Sequence, residues 1–503
     1  MNNANAKSLE KILPRFVRII LLVAAVAHII LFIVTALSRI AYPFELEWME
    51  GASVVHVHRI LSGKSLYVRP SPEFIPFIYP PFYFYASSIV ALITGAEFFP
   101  LRLISFLSTL GAMTLVFLFV RKENGSLKTA VVGAGLFAAT YVISGFWLDI
   151  ARVDSLFLFL ILGACYLTRF HVTVAGYAFA AILFTLAFLT KQTALVIMVP
   201  VIFYPAVIGN WKRFFQLSIT TLILTAGSVV ILNLATEGWF GYYIFRIPRG
   251  HSLIYGKLLG FWFTDFLPFY FIAFIFGMFF LYSEWRNREK KRCFYLLLAA
   301  GMTLSSWLSR LHSGGWLNVM IPVLCAFSIT GALGYRLFLE HIRKNIKRES
   351  RRILYTVIIH SALAVQLIML VYNPARQRPG RKDIQAGNRI IEIIRKTEGE
   401  VYIPFHSWLA EMAGKQSYVH TQCLMDVLRS DRDIENNPGE ALLKKIQNRD
   451  FSLVIVDNPG FMDTLNNYYS AEKIHYPGKE TFYPVTGMKM RPYLAYRPPD
   501  VNE

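Results

Sequence analysis

Apolar residues dominate this chain in runs near 20 residues long, at about 16–38, 101–120, 129–148, 154–168, 174–190, 193–209, 214–234, 258–282, 293–308, 316–338 and 353–372. A hydrocarbon layer about 30 Å thick is crossed by about 20 helical residues. The pattern therefore predicts an all-α polytopic membrane protein with about 11 transmembrane helices. One apolar segment does not fit. Pro81 to Gly95 would rise only about 22 Å as a helix, starts behind prolines and is followed by Glu97.

Charge between the runs decides where that segment lies. If it rests in the interface, Arg121-Lys122, Lys212-Arg213, Arg286 to Arg292 and Arg336 to Arg352 share a side with the basic N-terminus (Lys7, Lys11, Arg15, Arg18). Positive loops mark the cytoplasmic side, so residues 39–100 are expected to form one long external loop with an interfacial helix. The N-terminus is then cytoplasmic. The first run exceeds the apolar core of a cleaved signal peptide, about 7–15 residues, and reads as a retained span.

Beyond residue 372 the periodicity changes. A helical pattern covers Ile384 to Lys396, strands are expected at Val401 to Phe405 and Ser452 to Val456, and Ala441 to Ile446 is helical between them. The chain thus divides into a membrane module, residues 1–372, and a small C-terminal α/β domain, residues 373–503, on the extracytoplasmic side.

The formal charge of +19 would suggest nucleic acid on a soluble protein. Here it falls in short loops between apolar runs and reads as topology, so membrane lipids and not nucleic acid are the expected partners. The basic loop 339–352 is expected to meet anionic headgroups. Four cysteines form no CxxC pair and give no disulfide framework. His56, His58, His171 and His360 show no metal-ligand spacing and are read as structural.

The unusual polar residues gather on the external side. Glu45, Glu47 and Glu50 lie at the edge of the first span, where charge is costly unless solvated or used. Glu47 and Glu50 are three apart, which on a helix would place them on one face. Converging carboxylates raise one another's pKa, giving a general base, or hold a divalent cation. Asp149, Arg152 and Asp154 form either an ion pair or a second carboxylate site. Lys191, at an expected tight external turn, either snorkels or offers a point charge to a lipid-linked phosphate. Arg246, Arg249 and His251, with Arg310 and His312, are further external basic groups. Tyr67 and Tyr79 belong to an aromatic loop suited to interface anchoring and to stacking on sugars.

In order and spacing these elements resemble the GT-C superfamily of polyprenyl-phosphate-dependent glycosyltransferases, in particular bacterial protein O-mannosyltransferase-like and aminoarabinose lipid A transferase-like proteins. The resemblance spans about residues 16–320. It rests on Glu47-Trp-Met-Glu50-Gly, Gly63-Lys-Ser-Leu-Tyr67, Tyr79-Pro-Pro-Phe-Tyr83, Leu101-Arg102-Leu-Ile-Ser105, Arg152-Val-Asp154 and Thr190-Lys191. The family's Asp-Glu pair would fall near Met49-Glu50, so glutamates here stand at shifted positions, and either Glu50 or Glu47 is the base. The tail matches no part of the pattern.

The resemblance implies an inverting transfer, in a bacterial cytoplasmic (inner) membrane. The sugar moves from a polyprenyl-phosphate donor to a hydroxyl of a glycan, lipid or protein acceptor on the outer face. It casts Glu50 and Glu47 as base candidates, with Glu45 beside them, Asp154 as second-site acid oriented by Arg152, and Lys191, Arg249 and Arg310 as holders of the leaving phosphate. Tyr67, Tyr79 and His312 fall among the substrate-binding positions. A divalent cation, magnesium or manganese, on Glu47, Glu50 and Asp154 is compatible with the family and not required by it. A lipid-linked sugar flippase would instead show paired repeats or mid-span polar residues. A non-catalytic envelope scaffold would tolerate neutralisation of Glu50 or Asp154.

Overall fold

The computed structural model describes residues 3–287, 293–458, 460 and 463–499. The helices are α1 (Asn3–Arg39), α2 (Glu50–Leu61), α3 (Phe82–Thr94), α4 (Phe98–Asn124), α5 (Leu127–Ile143), α6 (Asp154–Phe170), α7 (Val174–Phe188), α8 (Ala194–Ile202), α9 (Tyr204–Val207) and α10 (Trp211–Ala235). Short helices α11 (Trp239–Gly241), α12 (Ile247–Arg249) and α13 (Lys257–Gly260) follow, with π-helical turns at Tyr242–Arg246 and Phe261–Phe266. Then come α14 (Leu267–Asn287), α15 (Cys293–Leu311), α16 (Ile321–Asn345) and α17 (Glu349–Met369). Each of the eleven apolar runs is helical. Among the described residues, six helical stretches are long and apolar enough to cross a membrane, beside shorter apolar ones. Residues 288–292 of the expected basic loop after Arg286 lie outside the described residues.

Turns at the basic end of the bundle are fixed by local chemistry. Gly125, at φ 67°, ends α4, and Ser126 caps α5 by accepting from the Thr129 amide. Thr173 caps α7 and Asn210 caps α10 in the same way. Each cap satisfies an amide that the first helical turn would otherwise leave open.

Helix α16 forms the centre, with nearly all its apolar stretch buried. It packs on α14 at backbone distance: a Cβ on Gly334 would lie 1.8 Å from the Phe276 carbonyl oxygen. Small residues at such crossings let helices approach where lipid supplies no hydrophobic drive.

Helix α3 covers the segment that was too short to span. The Phe82 amide donates to the Leu189 carbonyl, and Arg102, one turn into α4, binds the carbonyls of Tyr42 and Phe44. Both ends of α3 therefore sit at one end of the bundle, and Ile89, Leu92 and Ile93 face outward.

The C-terminal part contains α18 (Arg381–Lys396), β1 (Glu400–Tyr402), α19 (Ser407–Met412), α20 (Thr421–Ser430), α21 (Pro438–Gln447), β2 (Phe451–Val456), β3 (Ser470–Lys473) and β4 (Leu494–Arg497). The sheet order is β1-β2-β4-β3, with β1 parallel to β2 and the other pairs antiparallel. Helices α18 and α21 and strand β2 match the expected elements, whereas β1 ends at Tyr402 and covers only the start of the strand expected at Val401 to Phe405. Helices α19 and α20 and strands β3 and β4 are additional. Phe44 of the first loop joins Ile390, Val401, Leu453 and Phe482 in one apolar cluster. The tail therefore folds onto that loop.

Candidate active site

The first loop is held by arginines rooted in helices. Arg102 donates to both carboxylate oxygens of Glu50, Nε to Oε1 at 3.0 Å and Nη2 to Oε2 at 2.6 Å. Glu50 also accepts from the backbone amides of Leu46 and Ala151, each at 2.6 Å. Arg39 makes a second two-pronged pair with Asp149, which also accepts from the Tyr141 hydroxyl. These pairs tie the ends of α1 and α4 to the loop between α5 and α6.

Glu47 and Glu50 do not share a helix face. The Glu50 amide donates to the Glu47 carbonyl in a turn, and α2 starts only at Glu50. Glu50 therefore points to Arg102, whereas Glu47 points to Arg152, with Oε2 3.7 Å from Nη1. Glu47 is completely buried, and neither its Oε1 nor Arg152 Nη1 has a hydrogen-bond partner. Burial pushes the Glu47 carboxyl up to about 8, against the pull of Arg152 and with added repulsion from Glu50.

Glu47 and Arg152 line a cavity of about 240 Å³. Trp48, Tyr79, Trp147 and Asn318 share its wall, as do His251 and Asp426. Arg152 sits over the rings of Phe77, Tyr79 and Trp147 and donates to the Tyr79 hydroxyl at 3.4 Å. The tail supplies part of the cavity wall through Gln422, Asp426, Gly487 and Met488. Gly487 lies at φ 74°, and a Cβ there would come 2.9 Å from Glu47 Cγ, so only glycine allows this approach. Gln422 donates to Asp426 at 2.8 Å, and Asp426 stands 3.3 Å from His251 Nε2.

Asp154 is a neighbouring hub. Its Oδ1 accepts from Lys191 Nζ at 2.6 Å and from Asn318 at 3.0 Å, and its Oδ2 accepts from the Trp147 indole at 3.0 Å. Its hydrogen bonds thus come from Lys191, Asn318 and Trp147, while Arg152 turns to Glu47 and Tyr79. Lys191 is ion-paired with Asp154 at a tight turn.

Other expected site residues lie around this centre. Glu45 pairs with His406 of the tail, whose other nitrogen lies 2.8 Å from Asp457. Burial opposes a charge on His406, but Asp457 and Glu45 on either side overcome it and raise its pKa. The Tyr67 hydroxyl donates to the Tyr79 carbonyl at 2.7 Å, bracing the cavity wall without lining it. Arg310 pairs with Asp265 at 2.7 Å and donates to the carbonyl of Gly315, a cavity residue. His312 bridges to the Leu253 backbone, and Arg249 is exposed beyond the cavity.

Sequence reasoning missed Trp147 and Asn318, and from the tail Gln422, Asp426, His406 and Asp457. An indole at a span end and an isolated asparagine carry no pattern of their own. The tail residues reach the site only through tertiary folding.

Glu47, Glu50 and Asp154 each meet a different cation, Arg152, Arg102 and Lys191. Among the described residues no three His, Cys, Asp or Glu side chains gather as a metal-ligand set. A divalent cation shared by these three carboxylates, which the family resemblance allows without requiring, does not fit this geometry.

Residues 79–235 match the family model described as dolichyl-phosphate-mannose-protein mannosyltransferase. No curated protein matches the chain by sequence. In fold it is similar to ArnT from Cupriavidus metallidurans in the apo state, at TM-score 0.60 and 14% identity, covering 94% of this chain and 98% of that one. The same ArnT bound to undecaprenyl phosphate gives 0.58 and 12%, covering 93% and 97%. The Archaeoglobus fulgidus oligosaccharyltransferase in complex with Zn and sulfate gives 0.53 and 13%, covering 91% and 72%. The likeness to ArnT covers nearly the whole chain, well beyond the residues whose motifs carry the resemblance. The chain has the fold of the GT-C glycosyltransferases.

Proposed function

We propose that the chain transfers a sugar, with inversion, from a polyprenyl-phosphate donor to an acceptor hydroxyl in the Glu47–Arg152 cavity. The carrying observation is that buried pair, with an unpartnered oxygen on one side and an unpartnered N–H on the other. Buried polar groups are almost always satisfied, and an unsatisfied pair that faces a cavity calls for an explanation, which a bound substrate supplies here.

In this reading Glu47 Oε1 takes the proton of the acceptor hydroxyl as its oxygen attacks the anomeric carbon. The bond from that carbon to the phosphate oxygen breaks, and the lipid phosphate leaves with the electron pair. Charge is conserved locally. Arg152 faces the Glu47 carboxylate before transfer; afterwards Glu47 is protonated and Arg152 is free to hold the phosphate. A fixed guanidinium in a dry cavity stabilises that developing charge more than water would. Glu50 and Arg102 serve as frame, and Lys191 and Arg310 as positioning residues for Asp154 and the Gly315 loop. Asp154 orients Trp147 and Asn318 along the wall.

We place the cavity on the outer face of a bacterial inner membrane. The basic inter-helix loops lie at the opposite end, and cytoplasmic loops carry such charge. Residues 373–503 act as an extracytoplasmic domain that closes the site. The test is mass spectrometry of envelope glycans, lipids and glycoproteins from cells lacking the gene. Loss of one sugar-sized mass, restored by the wild-type chain, supports transfer and identifies sugar and acceptor. An unchanged envelope would move the function to transport or scaffolding.

A further inference from the structure

We infer that the end of the bundle opposite the catalytic cavity holds a binding site for the phosphate headgroup of an anionic membrane lipid. A cavity of about 150 Å³ opens there between α1, α5, α16 and α17. Five cations line it: Arg15 and Arg18 from α1, Lys128 from α5, and Arg336 and Arg343 from α16. No aspartate or glutamate lines it. Among the described residues, the one ion pair made by these five is that of Arg336 with Glu340, at 2.7 Å.

Like charges that converge on one concavity repel unless an anion sits among them. Positive-inside topology asks only for basic loops on this side and is met equally by scattered residues. Convergence from three helices is a different property. The remaining walls match a headgroup with chains attached. Thr129 and Thr356 supply hydroxyls, and Leu21, Leu22 and Leu339 give an apolar floor. Outside, α1 exposes Phe16 and Ile19, and α17 exposes Leu354 and Ile358, as surfaces for acyl chains. A free phosphate would use the cations but not these apolar faces. Arg18 precedes Arg39 by about 21 residues, about 32 Å along α1, so this site is separate from the catalytic cavity. Basic recesses between spans on the cytoplasmic side suit anionic headgroups.

The experiment uses the purified full chain in phosphatidylcholine nanodiscs doped with phosphatidylglycerol, with retained lipid read by native mass spectrometry. The cavity variant is Arg18→Gln with Arg343→Gln. The charge-matched control is Arg121→Gln with Lys122→Gln, both exposed at the end of α4. Wild type and control are expected to retain phosphatidylglycerol, and the cavity variant to lose about tenfold or more of that preference. Arg343→Gln alone, at an exposed position, is expected to lose about threefold and serves if the double variant does not fold. An unchanged preference in the cavity variants, or an equal loss in the control, overturns the site. Displacement of the lipid by millimolar inorganic phosphate overturns its assignment to a lipid.

Discussion

Arg102 grips both oxygens of Glu50, at 3.0 and 2.6 Å, with both side chains wholly buried. With two backbone amides on the same carboxylate, Glu50 has no position left for a substrate hydroxyl. Glu47, three residues earlier, keeps one oxygen unpartnered at a cavity wall. The two glutamates are chemically alike and differ in what the fold leaves open.

Removing one partner of a buried ion pair strands the other. Glu50→Ala is expected to cost about 3–5 kcal/mol, seen as a lowered thermal midpoint and loss of monodisperse protein. Glu50→Leu combined with Arg102→Leu should recover part of that loss. A double variant no better than the single one would show that the charges do more than hold the loop.

Burial pushes the Glu47 carboxyl up to about 8 from the ordinary 4.5. A base must be deprotonated, so the transfer rate is expected to rise with pH and reach half its plateau near that value. Stability runs the other way. The folded state holds the Glu47 proton where the unfolded chain has lost it, so stability falls as pH climbs from the carboxylate range through about 8. Glu47→Gln should flatten that decline in pH-dependent unfolding scans, and an identical decline in both proteins would exclude Glu47 as its source.

His406 joins the first loop to the tail between Glu45 and Asp457. Its pKa is raised, so its contribution to stability is complete below the ordinary histidine range and is lost as pH rises through the higher folded value. His406→Gln is expected to speed hydrogen exchange in residues 40–50 and 400–412 together. Faster exchange in only one of these segments would mean that the histidine does not couple them.

The tail contributes to the cavity through Asp426, Gln422 and Gly487. Gly487→Val would need a strained backbone and would press on Glu47, so transfer should fall about tenfold or more while the rest of the fold persists. Asp426→Asn is expected to lower transfer with little change in thermal midpoint. Full activity in both variants would confine the site to residues 1–372.

Much of the membrane part was legible because hydropathy is a local property: the run at about 101–120 announces the span that α4 forms over Phe98–Asn124 without help from elsewhere. That α3 stays at one end of the bundle was legible in its short length and in the charge of the later loops. The division of labour between Glu47 and Glu50 was not, because it depends on Arg152 and Arg102, which lie far along the chain. A helix-face argument paired two residues that a turn separates. Strand β3 is exposed at all four positions and carries no alternation to read. Asp426 looks like an ordinary helix aspartate until α20 is brought against His251.

The central claim is that Glu47 is the base. Its most direct test is sugar transfer in cells lacking the gene, complemented at matched expression by wild type or Glu47→Gln and read by envelope mass spectrometry. The account predicts a folded Glu47→Gln protein, with a thermal midpoint no lower than wild type, that transfers about 100-fold less sugar or worse. Wild-type levels of transfer by Glu47→Gln would contradict it.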